Sequence, residues 1–430
     1  MKGKLLIAAC LFIVTFVRAQ NNYYFPPLTG TTWDTISPAS LGWCPDKMDS
    51  VIDFAGQKDS KAFIVLYKGK IAVEKYYGSF TKDSAWYWAS AGKSLTSLLT
   101  GIAQQQGLLS IQDSTSKYLG VGWSSETPEQ EGKIKIVHQL SMTTGLDYRV
   151  PDLDCTDDTC LKYHADAGTE WYYYNAPYHL VHDVIAAASG VTLNNFTNTR
   201  LGTRTGITGL WLDHIFYSKP RAAARFGLLM LNDAIWNADT ILGDRQFLND
   251  SRNTSQSYNL SYGYLWWLNG KSSFMAPTST LTFPGSLCPA APADMYSALG
   301  KNDQKIYVVP SMDLVVVRMG NDAGQQTLGP SSFDSDLWER LMQVFCATTG
   351  IADIRNQAEV NVFQNPANNQ INVQVNKEQI GKQLAVFDIS GREIFTAKLN
   401  NASTSIDISE WSSGVYFLRL GNEVKKLVKE

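Results

Sequence analysis

Apolar positions in this chain follow two patterns, and the change falls near residue 350. Before it, helical stripes lie between two strand hairpins. Residues 41–56 read as a first helix. Residues 62–67, a Lys68-Gly69 turn and residues 71–77 then read as a hairpin. A second hairpin is predicted at residues 306–309 and 314–319, split by Pro310-Ser311-Met312-Asp313. Between the hairpins the periodicity is mainly helical. Leu95, Leu98, Leu99 and Ile102 recur at i, i+3, i+4 and i+7, one buried stripe, and Gly107 falls where a helix C′ glycine belongs. Residues 176–188 and 332–346 predict two more helices. Strands, then helices, then strands give an α/β fold. One antiparallel sheet is built from both ends of the domain and sandwiched by helices, with an all-helical lobe beside it.

After residue 350 the stripes disappear. Val360 to Asn369 is Asn-rich and turn-forming. Short strands are predicted at 370–375, 383–388, 393–399, 404–408 and 414–420. That spacing describes a small β-sandwich, of the kind also used by carbohydrate-binding and adhesive modules.

Residues 1–19 read as a signal peptide. Lys2 and Lys4 precede an apolar run, 5–17, too short to span a membrane, and Val17-Arg18-Ala19 offers a cleavage site. Lipoprotein processing before Cys10 is the rival, disfavoured because Leu11 to Val14 continue the apolar run. Loss of Lys2, Lys4 and Arg18 would make the chain three charges more acidic than its formal −3. An acidic chain without a basic run argues against nucleic acid and against electrostatic docking on membranes, and no other segment predicts a transmembrane anchor. Five cysteines remain after the leader; Cys155 and Cys160, in a polar loop, suit a small disulfide in an oxidising compartment. His164 would add only a third donor there, so no metal site is expected. His179 and His182 lack an HExxH context and read as packing residues. No cofactor motif is present.

The stretch richest in candidate chemistry is Ser90-Ala91-Gly92-Lys93, at the start of the stripe-bearing helix. Residues three apart on a helix are neighbours, so Lys93 can take the proton of Ser90 and make it a nucleophile. Helix-start N–H groups suit a developing oxyanion. Ser-x-x-Lys also occurs at Ser79/Lys82 and Ser114/Lys117, but neither begins an apolar helix. Further on, Tyr173-Tyr174-Asn175 is a Tyr-x-Asn entering the helix at 176. A tyrosine with a pKa lowered by a nearby ammonium can shuttle protons, and the asparagine amide can hold the lysine and a substrate carbonyl. The bland alternatives are a helix-capping serine, a solvated lysine and a surface aromatic cluster.

These motifs, in order, resemble the serine hydrolases related to class C β-lactamases and penicillin-binding proteins, the 6-aminohexanoate-dimer hydrolases and esterases most of all. The stretches that carry the resemblance run from Ser90-x-x-Lys93 through Gln139 to Leu146, Gly168 to Asn175 and Arg221 to Leu231, and end with the hairpin from Gln304 to Arg318. The resemblance implies Ser90 as acylated nucleophile, Lys93 and Tyr173 as the acid/base pair, and Asn175 as a contact to lysine and substrate. It implies a small-molecule or peptide-like ester or amide substrate. The family's Lys-Thr-Gly strand is absent: counted back from Pro310 without gaps, its places hold Met295, Tyr296 and Ser297. Ser297 and Ala298 are then the substrate-strand candidates, Ala298 offering a backbone N–H to the oxyanion. Without a strand cation, a β-lactamase or D-alanyl-D-alanine peptidase is the second reading, and a non-catalytic binding protein on the same fold the third. Arg318 is the candidate substitute cation.

The tail resembles the C-terminal sorting domain of type IX secretion in Bacteroidetes. Phe363 to Ala367, Phe387 to Arg392, Ile406 to Ile408, Gly414 to Phe417 and Lys425 to Lys429 carry the match. The resemblance implies the type IX machinery as a partner, a secreted or cell-surface protein, and removal of the tail on delivery. The expected organisation is a signal peptide at 1–19, a hydrolase domain at 20–350 and a sorting domain at 357–430.

Overall fold

The computed structural model describes residues 23–324, 329–346, 360–375, 379–388, 392–421 and 423–430, so the leader lies outside the described residues. The chain divides into two compact units on either side of the bond between Cys346 and Ala347. In chain order, the elements of the first unit that position the site are α1 (Pro45–Gln57), β1 (Ser60–Tyr67), β2 (Lys70–Tyr76), α2 (Gly92–Gln105), α3 (Asn175–Ser189), α4 (Pro220–Leu231), β3 (Trp267–Leu268), β4 (Tyr296–Gly300), β5 (Gln304–Val309), β6 (Leu314–Gly320) and α5 (Ser332–Val344).

The strands form one antiparallel sheet in the order β2-β1-β6-β5-β4-β3, so the two ends of the domain meet at the β1–β6 pair. Ile306, Val308 and Val315 share one face by alternation and register, and Tyr307 lies on the other. Helix α4 crosses the first face at Gly227, where a Cβ would lie 2.4 Å from Val315 Cγ1. Helix α5 covers the second, with Trp338 edge-on to Tyr307. Both faces are therefore buried, and β5 and β6 are buried at every position. A Cys44–Cys346 disulfide joins the start of α1 to the end of α5.

The first helix begins at Pro45 because Pro38–Leu41 is a separate 3-10 turn ended by left-handed Gly42. Helix α2 ends as expected, with Gly107 left-handed at φ 69°. Its burial differs from a single stripe: every residue from Gly92 to Ala103 is buried. The helix runs between sheet and lobe, so its polar positions face protein. Ser94 Oγ donates to Leu265 O (2.7 Å), and Thr96 Oγ1 meets His182 Nε2 (2.7 Å).

The second unit has two sheets. Val360–Phe363, Gln370–Val375 and Ser403–Asp407 form one; Glu393–Lys398, Gln383–Asp388, Gly414–Leu420 and Glu423–Lys429, in that spatial order, form the other. Ile371, Val373 and Ile406 of the first sheet share one buried cluster with Leu384, Val386, Leu418 and Leu427 of the second. This is a small β-sandwich. The strands at 360–363 and 423–429 are additions to the five that periodicity predicts; the first lies in the Asn-rich stretch read as a turn, and the second is interrupted by Lys425-Lys426.

Candidate active site

Ser90 sits on a strained approach. Trp86–Tyr87 pairs with Ile215–Ser218, and Trp88 is fixed by a bond from its N–H to Phe216 O (2.8 Å) and from its indole to Ser218 Oγ (2.8 Å). Ala89 then takes φ 47°, a left-handed conformation unusual for alanine and typical of over-determined functional turns. Ala89–Ala91 form one 3-10 turn, and α2 continues directly from Gly92. This entry turns Ser90 onto the same side as Lys93.

Lys93 Nζ donates to Ser90 Oγ at 2.9 Å and to Asn175 Oδ1 at 2.7 Å. Its nitrogen lies 5.0 Å from the Tyr173 ring centroid and 4.2 Å from that of Tyr178. Burial holds its pKa down to about 7, against an ordinary 10.5, with the Asp154 carboxylate pulling weakly the other way. Near neutral pH a large share of Lys93 is therefore free amine, able to accept a proton.

Tyr173 hydrogen-bonds to Ser90, and that bond lowers its pKa, but burial outweighs it and pushes the phenol above its ordinary value. The ring packs against Tyr262 and Trp267. The sequence-based expectation of a lowered phenol is therefore corrected: Tyr173 stays an O–H. Asn175 holds the lysine as expected, and one of the two N–H groups of its amide is taken. Nδ2 donates to Asp154 Oδ1 at 2.9 Å, which leaves a single N–H for another acceptor.

The strand assignment moves. Asn269 N donates to Met295 O (2.9 Å), and Ser297 pairs with Trp267. Antiparallel alternation then turns the Ser297 N–H into β3 and the Ala298 N–H into β5, opposite Ile306, so both serve the ladder. The approach to the nucleophile comes at Gly300. A Cβ there would lie 2.4 Å from Trp88 O, 3.0 Å from Ala91 N and 3.2 Å from Ser90 N. The three places beside the nucleophile are thus Ala298, Leu299 and Gly300, three residues later than a gapless count gives. The short turn Lys301–Asp303 explains the offset. Past the end of β3, alternation leaves edge-facing N–H groups on Leu299 and Lys301.

Arg318 is not a spare cation. It is fully buried; its guanidinium donates to the carbonyls of Asn302 (2.8 Å), Asp303 (3.1 Å) and Lys58 (2.6 Å) and to Ser60 Oγ (3.0 Å). It holds the turn that follows Gly300. Lys305 is likewise buried against Asp303 and Asp334. The Cys155–Cys160 disulfide forms, and Cys288 is a buried free thiol. His179 and His182 are buried in the layer behind Lys93, stacked on His214. Sequence reasoning missed Asp154, Tyr178 and Gly300. Only Gly300 had a local signal, a glycine ending a strand beside a turn.

This is a two-lobed α/β domain that gathers Ser90, Lys93, Tyr173 and Asn175 in one place. The chain belongs to the β-lactamase family, whose model matches residues 49–332. Residues 361–430 match the secretion system C-terminal sorting domain. Three solved structures share the fold. A Bacillus anthracis protein named as a 6-aminohexanoate-dimer hydrolase is 15% identical with a TM-score of 0.54, over 76% of this chain and 88% of that one. A Bacteroides dorei protein named as a β-lactamase is 17% identical with a TM-score of 0.55, over 70% and 99%. A penicillin-binding protein homolog from Caulobacter crescentus is 12% identical with a TM-score of 0.54, over 70% and 98%. No curated protein sequence matches the chain. The sorting domain directs the protein through type IX secretion to the cell surface or outside. Among the described residues no helix is long and apolar enough to cross a membrane.

Proposed function

We propose that this protein is a secreted serine hydrolase that cleaves an ester or amide through an acyl-enzyme on Ser90. The observation that carries the reading is the 2.9 Å contact between Ser90 Oγ and a buried amine with a pKa near neutrality. Neutral Lys93 takes the Ser90 proton as Oγ attacks the substrate carbonyl. The oxyanion is received by the N–H of Ser90 and, across the cleft, by that of Lys301. Tyr173, kept protonated by burial, gives its proton to the leaving group and is reprotonated by the Lys93 ammonium, which restores the free amine. Water then attacks the acyl carbonyl, Lys93 takes the water's proton and returns it to Ser90 Oγ as the acid leaves.

The test is turnover of a panel of chromogenic esters and D-amino-acid amides by the full chain. Ser90→Ala abolishes it, and Lys93→Ala lowers kcat by about two orders of magnitude or more, the size of a general-base contribution. Tyr173→Phe does the same, and the double variant loses little beyond either single one. Full activity in Ser90→Ala contradicts the reading; near-full turnover in Tyr173→Phe removes that residue from it.

A further inference from the structure

Asn175 makes two hydrogen bonds of opposite sense, and that fixes which way its amide points. The carbonyl oxygen accepts from Lys93 at 2.7 Å, while the NH2 donates to Asp154 Oδ1 at 2.9 Å. A carboxylate only accepts, so Asp154 admits a single orientation of the amide. With that partner removed, the amide is free to turn, and its NH2 would then face the lysine nitrogen.

Asp154 is itself held at several points. Leu153 O accepts from Ala176 N (2.9 Å), at the start of α3. Asp154 O meets His179 Nδ1 at 3.3 Å, and Asp154 N donates to Asp152 Oδ1 at 2.9 Å. The residue directly follows Leu153 and precedes the Cys155–Cys160 ring, which shortens the loop that carries it. Its carboxylate is also 3.8 Å from His179 Nε2. Around the Lys93 nitrogen stand the rings of Tyr173 and Tyr178, then Asn175, Asp154, His179 and His182. Burial above all holds both histidines neutral, His179 down at about 3. Asp154 is thus the anion acting on this lysine.

We propose that Asp154 is a positioning residue: from the disulfide-closed loop it orients the Asn175 amide and through that amide sets the geometry of Lys93, while its carboxylate acts on the lysine directly as the neighbouring anion. The proposal rests on the hydrolase reading for its catalytic consequence. It does not rest on it for the effect on Lys93, and the experiment separates the two.

The full chain is prepared as wild type, Asp154→Asn, Asp154→Ala, Asn175→Ala and the double alanine variant. Each is read by the Lys93 13Cε chemical shift against pH and by kcat and KM on the best ester of the panel. In Asp154→Asn the amide oxygen still accepts from Asn175, so kcat stays within a few-fold of wild type, yet loss of the charge moves the Lys93 titration to lower pH. Asp154→Ala moves the titration the same way and lowers kcat about tenfold, with KM little changed. In kcat the double variant equals Asn175→Ala, because the positioning effect of both runs through one amide, while its Lys93 titration still moves to lower pH with the lost charge. An unchanged Lys93 titration in both Asp154 variants overturns the proposal, as does a double variant whose losses multiply. A wild type that neither turns over esters nor acylates at Ser90 overturns the hydrolase reading instead, and the Lys93 titration still decides the role of Asp154.

Discussion

At the scale of single residues, Lys93 combines the account's main benefit and its main cost. Its folded pKa lies near 7 and its ordinary value is 10.5. Above both values the amine is neutral whether the chain is folded or not. As pH falls from about 10.5 toward 7, only the unfolded chain takes up the proton, so stability is lost across that window and the deficit is constant below it. At 1.36 kcal/mol per pH unit the deficit amounts to a few kcal/mol. Lys93→Met should therefore raise the melting temperature at pH 7 by roughly 5 °C, with the gain shrinking as pH approaches 10. A gain that does not change with pH contradicts a buried, uncharged lysine. The same shift sets activity: kcat/KM should fall away on the acid side of about pH 7, because protonated Lys93 cannot act as base. Ser90 and Lys93 were legible in sequence because i, i+3 spacing is a local geometric fact. The state of Tyr173 was not, because its burial against Tyr262 and Trp267 comes from residues far along the chain. Asp154 was hidden for the same reason: nothing local ties a polar loop to an asparagine in the next helix.

At the scale of elements, the nucleophile depends on two backbone segments meeting without a side chain between them. Strand β4 reaches the Ser90 turn at Gly300, and a methyl group there would come within 2.4 Å of Trp88 O. Carbonyl and strand cannot both stay in place. Gly300→Ala should lower kcat/KM about a hundredfold, the usual effect of a displacement near 1 Å at the reacting atoms. Steady-state kinetics on a folded variant, checked by circular dichroism, measures this. Wild-type kinetics would show that β4 does not frame the site. Sequence periodicity found both hairpins and the helix stripe, because strands and helices write their faces at fixed periods. It could not place the oxyanion strand, because that depends on the length of the turn Lys301–Asp303, and a turn leaves no periodic mark. Nor could one stripe reveal that α2 is buried all round; its threonines and serines look solvated until their partners, such as His182 and Leu265, are folded against them.

At the scale of the whole molecule, the chain joins a hydrolase-type domain to an export tail, and the cations of strands β5 and β6 are committed to structure. Arg318 and Lys305 are both fully buried in hydrogen bonds and ion pairs. The places beside the nucleophile hold Ala298, Leu299 and Gly300, whose side chains offer a substrate carboxylate no cation and no hydrogen-bond donor. A carboxylate buried without a partner costs several kcal/mol. The ratio of kcat/KM for a neutral short-chain ester over a cephalosporin should therefore be at least about a hundred, equivalent to about 2.7 kcal/mol. Lys301, exposed directly after Gly300, is the cation that would reverse this. Efficient cephalosporin hydrolysis that collapses in Lys301→Ala would put the β-lactamase reading first.

Acylation of Ser90 tests the central claim most directly. The purified full chain is treated with a fluorophosphonate and digested with trypsin, and the label is located by mass. One adduct is expected on the peptide from Asp83 to Lys93, with fragmentation assigning it to Ser90 rather than Ser84, and no adduct in Ser90→Ala. A label that persists in Ser90→Ala, or that falls on Ser79 or Ser114, would contradict it.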